Sequence, residues 1–178
     1  MGERFDTTVC IAGGGPAGIV AGLIIARAGI DVVVLEKHAD FLRDFRGDTV
    51  HPSTLNLLDQ LGLGSTARAI DHSELSTLDA VIDGIRVLAV DFTSLPAPHR
   101  YLTLMPQWDL LSMLVAEAEK QPSFRLVMQA TAHDVIRENG RVVGVRASTP
   151  SGPLQVNAPL TVAADGRASA VREALGLV

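Results

Sequence analysis

Apolar positions in this chain fall into short unbroken runs, and the order of those runs predicts the architecture. Val9-Cys10-Ile11-Ala12 is apolar throughout, as is Val32-Val33-Val34-Leu35. Runs of this kind suit parallel strands covered on both faces. Between them a second apolar stretch opens at Pro16 and stops at Gly29, so a strand, a helix and a strand over residues 31–36 are expected in succession.

A polar arm over residues 37–51 carries Arg43, Arg46 and Asp48. Pro52-Ser53-Thr54 then starts a short amphipathic helix with Leu55, Leu58 and Leu61, which Gly62 ends. Residues 73–91 read as strands, with Asp83-Gly84 as a hairpin turn. This antiparallel piece interrupts the parallel pattern and reads as the start of a second sheet. Pro96, Pro98 and Pro106 punctuate the return to a helix over residues 107–120, whose stripe of Trp108, Leu111, Val115 and Ala118 is expected in the core. Residues 124–128 rejoin the parallel sheet. Residues 131–138 and 141–148 flank Asn139-Gly140, a strong hairpin signal, and residues 154–156 supply a third meander strand. Leu160-Thr161-Val162-Ala163-Ala164 runs into Asp165-Gly166, and Ser169 is placed to cap a last helix ending near Gly176.

Composition narrows the class. At 178 residues, 47% of them hydrophobic, the chain can bury a sizeable core. Its net charge of −5 offers no footprint for nucleic acid. Cys10, the sole cysteine, lies within the first apolar run and reads as an inert core thiol. His38, His72, His99 and His133 show no spacing that suggests a metal site. No apolar stretch is long enough to span a bilayer, and the first strand follows the N-terminus too closely for a secretion signal, so a cytoplasmic setting is expected.

The chemistry concentrates at Gly13-Gly14-Gly15-Pro16-Ala17-Gly18, which joins the first strand to the helix, and at Glu36, which closes the second strand. In a dinucleotide-binding unit Gly13 permits the tight turn, Gly15 lets the backbone approach a pyrophosphate, and Gly18 lets the helix sit close to the sheet. Free N–H groups at the helix N-terminus favour an anion, and Pro16 costs nothing in the first turn. Glu36 can accept both hydroxyls of an adenosine ribose. An ordinary glycine-rich turn is the bland alternative, and the surrounding strand, helix, strand and carboxylate argue against it.

Taken in order, the glycine motif, arginine arm, inserted hairpin, meander and terminal Asp-Gly resemble the flavoprotein monooxygenases of the p-hydroxybenzoate hydroxylase type. The resemblance is carried by residues 13–18, Glu36, Arg46-Gly47-Asp48-Thr49-Val50-His51-Pro52, Gln107-Trp108-Asp109-Leu110-Leu111 and Ala164-Asp165-Gly166-Arg167. It implies an α/β fold of the glutathione-reductase-like Rossmann type that binds FAD, with a β-meander and an inserted antiparallel hairpin from a partial substrate sheet. The division it suggests is a first FAD-binding part over 1–72, inserted substrate-sheet strands over 73–105, and a continued FAD-binding part over 106–178. Members of the family continue beyond their Asp-Gly block to a later Gly-Asp block for the ribityl chain, so the resemblance is to their N-terminal portion. An apolar face left open to the remainder would favour association.

The implied reaction is NADH- or NADPH- and O2-dependent hydroxylation of an aromatic or similar small molecule through a flavin C4a-hydroperoxide. In such chemistry the cofactor performs the hard steps, which explains why no catalytic side chain stands out. An FAD-dependent reductase, dehydrogenase or halogenase on the same fold is the alternative enzyme, and a non-catalytic FAD-binding fragment is the alternative outside catalysis.

The expected cofactor contacts are Gly13, Gly15, Pro16, Ala17, Gly18, Glu36, Lys37, Arg46, Gln107, Asp165 and Gly166. Arg46 can place a guanidinium fork on a phosphate or near the flavin, or else is a solvated charge like Arg43. Gln107 can reach a pyrophosphate or ribityl hydroxyl, or is a helix-terminal polar residue. Asp165 stands at the carboxyl edge of the sheet, where open α/β folds bind ligands, or else caps the last helix. His51 could face a flavin or substrate, or simply enter the helix at Pro52, and Lys37 flanks the adenosine.

Overall fold

A computed structural model describes residues 2–42 and 48–177. In chain order the elements begin with β1 (Glu3–Asp6), β2 (Val9–Ala12), α1 (Pro16–Arg27), β3 (Val32–Leu35), β4 (Thr49–Val50), α2 (Pro52–Gln60) and α3 (Gly64–Arg68). β5 (Ser73–Leu75), β6 (Thr77–Ile82), β7 (Ile85–Asp91), β8 (Leu102–Leu104) and α4 (Gln107–Ala118) follow. The chain closes with β9 (Phe124–Val127), β10 (Thr131–Glu138), β11 (Arg141–Thr149), β12 (Gly152–Asn157), β13 (Leu160–Ala163) and α5 (Ala170–Ala174). These divide into two compact units, residues 1–41 with 114–178, and residues 42–113.

The first unit is built on a parallel sheet of order β13-β2-β3-β9. Every residue of β2 and β3 is buried, as their unbroken apolar runs require. Alternation along those strands sends Cys10, Val33 and Leu35 into a core shared with Val145, Leu154 and Val156 of the meander. Val34 points the other way and meets α1. There Gly22 matters: a Cβ on it would lie 2.9 Å from side-chain atoms of both Val34 and Phe124, so helix and sheet approach through its missing side chain. Burial pushes the Cys10 thiol up to about 12, which keeps it protonated and inert.

The meander forms a second sheet of order β1-β12-β11-β10. Asn139 and Gly140 both adopt positive φ at its β10–β11 turn, the geometry that favours this dipeptide in tight hairpins. β1 was not anticipated. It pairs in parallel with β12, from Glu3 opposite Leu154 to Asp6 opposite Asn157. Its four residues carry one apolar side chain, Phe5, too little periodicity to signal a strand. At the far end of the chain, Ser169 caps α5 by accepting the Arg172 N–H at 3.0 Å, and Val171 packs with Ala12 and Val135.

In the second unit the Asp83-Gly84 hairpin joins β6 to β7 as expected. The rest differs from the sequence reading. The polar arm contains β4, and β4, β8 and β5 form a separate three-stranded antiparallel sheet. Strands of two and three residues leave no pattern in a sequence, because their partners lie tens of residues away. Val81, Ile82, Ile85 and Leu88 of the hairpin are 59–70% exposed. Within α4 the buried stripe is Leu110, Leu111, Leu114, Val115 and Ala118; Trp108 is only half-buried, a correction to its expected core place.

Asp59 ties this unit together. Its Oδ1 accepts from Arg68 of α3 at 2.9 Å, and its Oδ2 lies 2.6 Å from Nε2 of the buried His99, which precedes β8. Arg68 first, and then His99, hold the Asp59 carboxyl below its ordinary value of 3.8. A carboxyl depressed in the folded state stabilises above its unfolded value and loses that stabilisation as pH falls through the folded one. Stability should therefore decline as pH is lowered below 3.8. Urea unfolding of Asp59→Asn should show lower stability than the parent at pH 6 and a shallower fall between about pH 5 and 3; an unchanged acid limb would contradict this assignment.

Candidate functional site

At the carboxyl edge of the parallel sheet the glycine turn is pinned from both sides. Gly13 donates to the Leu35 carbonyl at 2.8 Å, and Ala164 donates to the Ala12 carbonyl at 2.7 Å. Gly13 has φ +110°, and a Cβ on it would strike the Ala164 carbonyl oxygen and approach the Asp165 nitrogen to 2.8 Å. Residues about one hundred and fifty positions apart in the chain are thus brought into backbone contact. Gly18 is needed for a tighter reason than helix-on-sheet packing: a Cβ on it would clash with the Gly13 carbonyl oxygen. The helix–sheet contact falls to Gly22, which the motif reading did not single out. Gly15 has open space around the position of a Cβ, leaving its backbone accessible.

α1 then begins without a side-chain cap. Pro16 is its first residue, and the Gly15 carbonyl takes the Ile19 N–H. Ala17 and Gly18 keep N–H groups that find no backbone acceptor among the described residues. No acidic side chain occupies the first turn. An uncapped twelve-residue helix with free N–H groups is a site for an anion.

Glu36 is 2% exposed and does more than wait for a ribose. Its Oε2 accepts the Gly14 N–H at 2.9 Å, and its Oε1 accepts the His38 N–H at 3.0 Å. Its backbone N–H bonds Val127 at 2.9 Å, and its carbonyl accepts from Ala130 at 2.8 Å. The carboxylate therefore staples the glycine turn to the end of β3. Lys37 is exposed beside it.

The two carboxylate oxygens of Asp165 have different surroundings. Oδ2 accepts the Val171 N–H at 3.2 Å, a contact to the first turn of α5. Oδ1 is buried and has no hydrogen-bond partner among the described residues. A buried carboxylate oxygen without a donor is costly. It lies in the residue whose backbone touches the glycine turn, so a donor brought by a ligand there would satisfy it. Gly166 follows at φ +88°.

The remaining expected residues belong to the second unit. Gln107 is the first residue of α4 and is half-buried. Asp48 and Thr49 pair with Met105 and Leu104, so the end of the arm runs beside the segment leading to Gln107. Arg46, with Arg43, lies outside the described residues. His51 is exposed and precedes α2.

An anion seat at α1 and a hydroxyl acceptor at the end of β3 are together what an adenine dinucleotide requires, which defines the class as dinucleotide-binding α/β proteins. Sequence comparison narrows this. The chain belongs to the FAD binding domain family, whose profile matches residues 6–178. It is 33% identical over 171 residues to 6-methylpretetramide 4-monooxygenase of Streptomyces rimosus, covering 96% of this chain and 41% of that one. A 12-dehydrotetracycline 5-monooxygenase/anhydrotetracycline 6-monooxygenase of the same species is 31% identical over 175 residues, covering 98% and 33%. The crystal structure of p-nitrophenol 4-monooxygenase from Pseudomonas putida superposes with a TM-score of 0.84 at 25% identity, covering 98% of this chain and 44% of that one. The chain thus spans 41% and 33% of the length of these two curated relatives.

The geometry separates two glycines that the motif treats alike. Gly18→Ala must displace backbone and should cost roughly 2–3 kcal/mol of stability. Gly15→Ala meets nothing and should change stability by no more than about 0.5 kcal/mol. Urea denaturation of the two variants checks this; equal losses would contradict the packing described.

Proposed function

We propose that this chain holds FAD through the edge described above and forms the N-terminal, FAD-binding portion of an NADH- or NADPH- and O2-dependent monooxygenase acting on an aromatic or similar small molecule. One observation carries the cofactor reading: Asp165 meets the glycine turn with Oδ1 buried and unpaired. A plain Rossmann turn needs no such aspartate, whereas a flavin dinucleotide offers hydroxyls beyond the pyrophosphate.

In this reading the pyrophosphate rests on the Ala17 and Gly18 N–H groups, with Gly13 and Gly15 allowing its approach and Pro16 setting the first turn. Glu36 accepts the adenosine ribose hydroxyls, and Lys37 flanks the adenosine. Asp165 and Gly166 receive the part of the cofactor beyond the pyrophosphate, and Arg46 and Gln107 are further candidate contacts to it. FAD, when bound, supplies the redox and oxygen chemistry. The residues of this chain bind it, orient it and exclude water around it.

Functionally we divide the chain into FAD-binding parts over 1–72 and 106–178 and substrate-sheet strands over 73–105. The exposed apolar residues of β6 and β7 suit association with further strands. No described helix is long and apolar enough to cross a membrane, and we take the setting to be cytoplasmic. The monooxygenase reading draws on the names of the relatives, and its direct check is NADH or NADPH oxidation coupled to a phenol that gains label from isotopic dioxygen.

Fluorescence titration tests the cofactor. FAD should bind at least about tenfold more tightly than FMN, because the contacts lie on the adenosine and pyrophosphate. Asp165→Ala should weaken FAD by about tenfold, the worth of one strong hydrogen bond. Equal affinity for FMN, or an Asp165→Ala variant that binds FAD as the parent does, would overturn the assignment.

A further inference from the structure

The opposite edge of the parallel sheet carries a second concavity in the same unit. Where β2, β3 and β9 begin, a cavity of about 420 Å³ is lined in part by Arg4, Phe5, Asp6, Thr7, Asp31 and Arg125. That volume falls within the roughly 300–1,000 Å³ of small-molecule sites. The glycine turn follows the last residue of β2, so the two sites stand about a strand length apart, roughly 13 Å.

The charges in this cavity are unevenly spent. Arg4 lies 3.3 Å from Asp6, and Asp6 also accepts from Asn157 at 2.6 Å, so that pair is internally satisfied. Arg125 has no carboxylate within ion-pair distance among the described residues; its guanidinium carbon sits 4.6 Å over the Phe5 ring. Stacking fixes the plane of the fork and leaves its N–H edge available. Asp31 likewise has no cationic partner among the described residues.

Sheet geometry sets the spacing of the backbone positions that carry these two charges. Arg125 pairs with Val33, and Asp31 lies two residues before Val33. By strand alternation all three share the face turned toward the meander. One strand across and two residues along places their Cα atoms roughly 8 Å apart. Two opposite charges thus line one cavity without pairing with each other, on backbone positions roughly 8 Å apart.

We propose that this cavity is a binding site for a small zwitterion, whose carboxylate takes the Arg125 fork and whose ammonium group takes Asp31. A carboxylate fits the guanidinium edge through two parallel hydrogen bonds, and the net-neutral lining discriminates against ligands with a single charge. This site does not depend on the FAD reading.

Amide NMR titration of the chain with 4-aminobutyrate, butyrate and butylammonium provides the test. The zwitterion should shift amides at residues 4–7, 31–33 and 123–125 and bind about tenfold more tightly than either singly charged probe. Arg125→Gln and Asp31→Asn should each reduce 4-aminobutyrate to the level of the single-charge probes, with spectra elsewhere unchanged. Should either variant fail to fold, the three-probe comparison on the unaltered chain decides. Equal affinities for the three probes, shifts that map elsewhere, or no shifts at tens of millimolar would overturn the proposal.

Discussion

The first unit depends on the backbone contact between Gly13 and the Ala164-Asp165 peptide. Only a residue without a side chain, held at φ +110°, allows the turn after β2 to touch the end of β13. That contact sets Asp165 beside the glycine turn. The cofactor reading follows from it: the uncapped N–H groups of α1 begin where the tight turn ends, and Asp165 is positioned because β13 is. A side chain at Gly13 would part the two strand ends and dismantle both.

Glu36 makes the arrangement rigid before any ligand arrives. Its carboxylate accepts two backbone N–H groups, one in the turn and one just beyond β3. Charge-assisted bonds of this kind are stronger than neutral ones, and their burial strengthens them further. The residue proposed to accept ribose hydroxyls is therefore also the residue that holds the glycine turn in place. Such preorganisation lowers the ordering cost of binding.

Much of this was legible in the chain because it is local. The runs of β2 and β3, the start of α1 at Pro16 and the Asn139-Gly140 hairpin each declare themselves within a few residues. What was hidden is non-local. β1, β4 and β8 are short strands whose partners lie far away in sequence, so no period marks them. Glu36 was legible as an end-of-strand carboxylate, yet its grip on Gly14 follows only from the path of the turn. Asp165 reads from sequence as either capping or binding, and the separate environments of its two oxygens follow only from the fold. Gly22 looked like any residue of α1 until Phe124 was brought against it, and the half-burial of Trp108 likewise depended on tertiary packing.

The most direct measurement is a crystal structure of the chain with FAD bound. The pyrophosphate should lie within about 3 Å of the Ala17 or Gly18 nitrogen, with the ribose on Glu36 and a cofactor hydroxyl donating to Asp165 Oδ1. A dinucleotide seated away from the glycine turn, or an Asp165 Oδ1 still without a donor in the complex, would contradict the assignment.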